Sequence, residues 1–227
     1  MSFTKATAIG SLAVLASAGL ANPVTLQRVD HSNYDMYTAQ IMSARGGIGL
    51  FTQYSDMEPG ADGYVAFDDT LIEADGLLES AGIADYTADP ASEVSLNQFN
   101  FIGGVDQVGG VVFFDFFDST GGFVDGFGVQ LSQAGTFSWS IDLAEAMLIS
   151  GSGFVEMSID DENLSGAGST AGGRWFLGNN GATVGDAGAA EAAPDFNFNF
   201  ELNSSLPAPS ALALLGMGGV VAGRRRR

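Results

Sequence analysis

Phe196-Asn197-Phe198-Asn199-Phe200-Glu201-Leu202 sets an apolar side chain at every second position with a polar one between. Successive side chains of a strand point to opposite faces, so this period of two reads as a β-strand with one apolar face. The same alternation recurs in Phe137, Trp139, Ile141 and Leu143 against Ser138, Ser140 and Asp142. It recurs again in Val155, Met157 and Ile159 against Glu156, Ser158 and Asp160. Val111-Val112-Phe113-Phe114-Asp115-Phe116-Phe117 is apolar on both faces except at Asp115, as expected of a central strand. Its partner is Phe123–Leu131, reached through Asp118-Ser119-Thr120-Gly121-Gly122, whose glycines accept positive φ.

Weaker strand patterns cover 24–29, 37–42, 49–54, 64–68, 94–102 and 174–177, for about eleven short strands in all. Helix-period stretches are scarce; 142–149 and 71–81 could each supply a turn or two. The stretches 166–173 and 178–194 are dominated by Gly, Ala, Asn and Thr and read as long loops. The expected fold is all-β: an antiparallel two-sheet sandwich, jelly-roll-like, which buries such strands without disulfides. A closed barrel is the alternative.

Residues 1–21 carry Lys5, an apolar run through Ile9, Leu12, Val14, Leu15 and Leu20, and a small-residue close at Ala18-Gly19-Leu20-Ala21. That is the layout of a secretory signal peptide cut after Ala21, which implies export machinery and signal peptidase as partners. At the other end, Pro207-Ala208-Pro209-Ser210 breaks any regular structure. The apolar residues 211–223 follow, and then Arg224, Arg225, Arg226 and Arg227. As a helix the apolar run would cover about 20 Å, short of the roughly 30 Å hydrocarbon layer, so it makes a weak transmembrane helix. The arginines would stay at the cytoplasmic interface.

Pro207 and Pro209, the apolar helix and the terminal arginines together resemble the bacterial PEP-CTERM sorting signal, with Ala208 in place of the family's glutamate. The resemblance implies an exported protein, transiently membrane-anchored and handled by an exosortase-like sorting protease. It places the protein at the cell envelope, the cell surface or outside the cell. Phe101-Ile102-Gly103-Gly104-Val105, Phe113 to Asp118, Val124-Asp125-Gly126-Phe127-Gly128 and Phe137-Ser138-Trp139 are similar to ectodomains joined to such tails. The chain thus divides into a signal peptide (1–21), an acidic β ectodomain (22–206) and a sorting segment (207–227).

All 27 acidic residues fall within 22–206, but only Arg28, Arg45 and Arg174 of the eight basic ones do, a balance of −24. A surface this acidic repels phosphate backbones and excludes nucleic acid as a partner. Cysteine is absent, which rules out a disulfide framework and thiol chemistry. His31 is the single histidine, read as a solvated loop residue, and zinc or Ser-His-Asp chemistry would have to use it. Gly103-Gly104 and Gly109-Gly110 lack the Lys and helix of a phosphate loop.

No catalytic set emerges, so the expectation is a non-catalytic protein of the cell surface or extracellular matrix. Carboxylate pairs for glycoside processing are too many to choose among. Calcium, which takes six to eight oxygens, is the one cofactor the composition suggests, at Asp160, Asp161 and Asn163. Asp68-Asp69 and the group Asp115, Asp118 and Asp125 are further clusters, and a solvated acidic turn is the competing reading of each. The alternative function is a glycan- or exopolysaccharide-binding module. Trp175, between two polar loops, would be its stacking platform, unless it is a strand anchor.

Overall fold

The computed structural model describes residues 26–42, 50–57, 63–68, 81–89, 91–160, 162–167, 170, 172–178, 182–187 and 197–205. The expected signal peptide, the sorting segment, Asp69, Asp161 and all but the last residue of the helix-period stretch 71–81 lie outside these. Among the described residues no helix is long and apolar enough to cross a membrane.

The described chain is all-β. Its strands are β1 (Met36–Ile41), β2 (Phe51–Ser55), β3 (Gly63–Asp68), β4 (Ala81–Thr87), β5 (Val94–Val105) and β6 (Val111–Asp118). They continue with β7 (Phe123–Leu131), β8 (Gly135–Ile149), β9 (Ser152–Ile159), β10 (Gly172–Gly178), β11 (Asn197–Phe198) and β12 (Phe200–Ser204). Hydrogen bonds join them in the order β11-β10-β5-β8-β1-β7-β6-β9-β4, with β12 between β5 and β2 and with β3 beside β10. All pairs are antiparallel except β1 with β7, a departure from the all-antiparallel expectation.

β1 turns the corner. Met36 to Ala39 pair with β7 at Gly128 to Leu131, whereas Gln40 and Ile41 pair with β8 at Ser140 and Trp139. One strand thereby links what the sequence suggested as two separate sheets, and the ladder runs on without a break. The far margins, β2 and β4, are tied by residues 182–187. Ser55 bridges Val184 and Thr87 bridges Asp186, with Thr87 and Asp186 exchanging both backbone bonds at 2.8 Å. The sheet is therefore nearly barrel-shaped. Gly185 is needed here: its φ is +80°, and a Cβ would collide with the Thr87 carbonyl.

The inner face is aromatic. Phe99 and Phe101 of β5, Phe114 and Phe116 of β6, Phe127 of β7, Trp139 of β8, Trp175 of β10 and Phe200 of β12 form one buried cluster. Phe99 and Phe114 lie 4.6 Å apart and Trp175 and Phe198 4.4 Å. Such pairs add about 0.5–1.5 kcal/mol each beyond area burial, which matters in a chain with no disulfide.

Several sequence expectations change. Residues 142–149 are strand, not helical turns: Val94, Ser95 and Leu96 of β5 pair with Ile149, Leu148 and Met147, and pairing overrides local helix preference. In 24–29, the described residues 26–29 form no ladder; Gln27 instead bonds Gly121 through its N–H and Phe123 through its side chain. β4 escaped notice because Ala and Gly dilute its alternation, although Ala84 and Tyr86 point inward. The two loop stretches are partly fixed. Thr170 is fully buried and its hydroxyl accepts the Val111 N–H, while 182–187 close the barrel through backbone bonds that need no large side chains.

Candidate functional site

Asp115 interrupts the apolar run of β6, and it is 2% exposed. A buried carboxylate is costly unless hydrogen-bonded, and it finds two partners on the segment that crosses the outer face of β6 and β7. His31 Nε2 donates to Oδ2 at 2.7 Å and the Tyr34 hydroxyl donates to Oδ1 at 2.5 Å. The His31 ring stacks on Phe113 with centroids 4.1 Å apart, and Tyr34 stacks on Phe123. A single 3-10 turn, His31–Asn33, capped by Asp30, brings both donors to the same side. Opposite Asp115 on β7 stands Gly126, where a Cβ would run into the Tyr34 hydroxyl and the Asp115 carboxylate.

Burial, with the charge of Asp115 adding to it, pushes the Tyr34 phenol far above its ordinary range, so it remains a donor. His31 is thus no solvated loop residue: it holds the N-terminal segment against the sheet. The signal that could have shown this was Asp115 itself, since a carboxylate in an otherwise apolar central strand demands a partner.

The calcium expectation fares differently at each residue. Asp160 is buried, and its carboxylate accepts the Leu164 N–H at 2.7 Å and the Ser165 N–H at 3.0 Å, together with the Ser165 hydroxyl. It closes the loop after β9. Asn163 is exposed at φ 56°, a turn position, and Asp161 lies outside the described residues. Asp118 likewise closes its own turn, accepting the Thr120 hydroxyl and the N–H groups of Thr120 and Gly122. Those bonds, from Thr120 first, hold its carboxyl below the usual range. Among the described residues no three His, Cys, Asp or Glu side chains converge as a metal site.

Trp175 cannot be a stacking platform. It is fully buried, its Nε1 donates to the Asn199 carbonyl at 3.1 Å, and its ring lies on Phe198. Its place in β10 between β5 and β3 makes it a core anchor.

Sequence reasoning also missed a polar layer. β12 buries both faces: Phe200 and Leu202 enter the aromatic core, and Glu201 and Asn203 enter a network on the opposite face. Glu201 accepts Ser55 Oγ at 3.0 Å, Asn100 Nδ2 at 2.9 Å and Asn203 Nδ2 at 2.8 Å. Gln98 accepts from the amides of Asn100 and Asn203 and donates to Asp142. Alternation alone suggested an exposed polar face, because period two cannot tell water from buried amides.

A shallow groove of about 380 Å³ opens at one end of the barrel, lined by Ser92, Glu93, Asp118, Val124, Leu148 and Ser150 among others, with no aromatic ring. No family model matches the chain, and no curated protein and no solved structure is similar to it.

Proposed function

We propose that the chain is an exported, non-catalytic surface or matrix protein, delivered by its two terminal segments and held by its β-module. In this reading the inner faces of the continuous sheet work as two packed layers of jelly-roll type, with β1 crossing between them. The observation that carries the proposal is the attachment of the tail. β12 is hydrogen-bonded on one side to β5 and on the other to β2, and Pro207 follows three residues after its end. A sorting segment hung from an interior strand transmits any pull to the core rather than to a frayed edge.

The polar side chains that the fold buries support a structural role. Asp115, Asp160 and Glu201 each serve to fasten a segment. A glycan-binding role would have to use the serine-rimmed groove, since Trp175 is enclosed.

Fractionation tests the proposal. The full chain should be found at the envelope or surface, and a variant lacking 207–227, or with Arg224 to Arg227 replaced by Ser, should lose that location and pass into the medium. Cytoplasmic accumulation of the full chain, or an unchanged distribution of the variants, would overturn it.

A further inference from the structure

Two stretches of the chain match the acceptor pattern for N-glycosylation, Asn-x-Ser/Thr with x other than proline: Asn163-Leu164-Ser165 and Asn203-Ser204-Ser205. The fold treats them oppositely. Asn203 lies in β12, 2% exposed, and its amide nitrogen donates to Gln98 and Glu201 in the buried polar network. A sugar on that nitrogen would force β12 away from its neighbours. Asn163 is exposed, in the loop between β9 and β10, at a left-handed turn position with φ 56°. Asparagine is one of the few residues besides glycine that adopts this conformation readily.

The place of the loop in the barrel suits a bulky, hydrated group. β9 runs from Ser152, at the end where the groove opens, to Ile159 at the opposite end. There the Asp160 N–H bonds the Val111 carbonyl at the start of β6, and the loop with Asn163 follows. β12 ends at Ser204 opposite Leu96, near the start of β5, and therefore at the groove end. The chain leaves β12 on the side of the barrel remote from Asn163. A glycan at Asn163 would thus point away from the segment proposed as the sorting tail and leave the groove uncovered.

We infer that Asn163 is an N-glycosylation site. The inference rests on the exported reading given above, because the co-reactants, a glycan carried on a polyprenyl diphosphate and an oligosaccharyltransferase, act on the far side of the membrane. Nδ2 of Asn163 forms a bond to the anomeric carbon of the glycan as the bond from that carbon to the diphosphate oxygen breaks. Polyprenyl diphosphate leaves with the electron pair, and Nδ2 releases one proton. The pattern needs the Ser165 hydroxyl, and in the closed loop that hydroxyl donates to the Asp160 carboxylate and accepts the Ala167 N–H. Transfer therefore precedes closure of the loop, while the chain is emerging from the membrane. Asp160 then clasps a loop that already carries its sugar.

Peptide mass spectrometry of the protein recovered from outside the cytoplasm tests this. The peptide holding Asn163 should carry the mass of a glycan, and the peptide holding Asn203 should not. Asn163→Gly suits the positive φ and keeps the turn, and it should lose the added mass. Ser165→Thr preserves the pattern and should retain it. Asp160→Asn weakens the clasp, so its glycosylated fraction should equal or exceed the parent's; a fall would overturn the order of events. An exported chain with a bare Asn163, or an added mass that survives Asn163→Gly, would overturn the site and leave the export reading standing. A full chain confined to the cytoplasm would overturn both.

Discussion

Phe114→Ala removes the ring at the centre of the core. Phe114 is fully buried and has Phe99 at 4.6 Å, Phe101 at 4.9 Å, Phe127 at 5.7 Å and Trp175 at 5.9 Å. Truncating a buried phenylalanine costs about 3–5 kcal/mol, made up of lost transfer energy and the cavity left behind. The upper half of that range applies here. β6 is hydrogen-bonded on both sides, to β7 and β9, so the backbone cannot move inward to fill the void, and four ring contacts are lost together. For a domain of this size each kcal/mol moves Tm by about 2–4 °C, so the fall should be roughly 8–20 °C. The assay is thermal or urea unfolding followed by circular dichroism, with Phe51→Ala as control; Phe51 is 44% exposed, and its loss should stay within about 0.5 kcal/mol. A Phe114→Ala protein as stable as the parent would refute the placement of this face in a packed core.

Asp160→Ala should cost about 2–4 kcal/mol and speed amide exchange at Leu164 and Ser165, because three donors lose their acceptor; unchanged exchange would deny the loop its clasp. His31→Ala should release the N-terminal segment and increase proteolysis before Met36 while leaving the melting of the core nearly intact. Tyr34, Tyr54 and Tyr86 all have phenols raised by burial, so the stability they lend is present below the ordinary phenol value near 10 and is lost as pH rises beyond it. Phenolate absorbance should therefore appear together with unfolding, not before it. The depressed Asp118 carboxyl works in the opposite direction: its contribution is present above the ordinary Asp value near 3.9 and disappears as pH falls through its lower folded value. Asp118→Asn should lessen the acid sensitivity of the turn, read by the NMR shifts of Thr120 and Gly122.

Strand identity was legible wherever side chains alternate strongly. Phe137 to Leu143, Val155 to Ile159 and the doubly apolar β6 all stand where the pattern put them. Three things were hidden, each for a physical reason. The parallel pairing of β1 with β7 is a long-range event between residues 36–39 and 128–131 and leaves no local trace. Residues 182–187 bind through main-chain groups, which composition cannot report. The buried face holding Glu201 and Asn203 looks like a water-facing one, because polarity at alternate residues describes a partner only once the neighbouring strands are known. Of the candidate residues, Asp160, expected as a calcium ligand or a solvated acidic turn, is buried and closes its loop, and Trp175 is core.

The terminal segments carry the proposed role, and the intact mass of the protein recovered from the cell surface tests it most directly. The sorting reading predicts a mature chain that begins at Asn22 and ends close to Pro207-Ala208-Pro209. A surface species still ending in Arg227 would contradict it and leave the tail as a plain anchor.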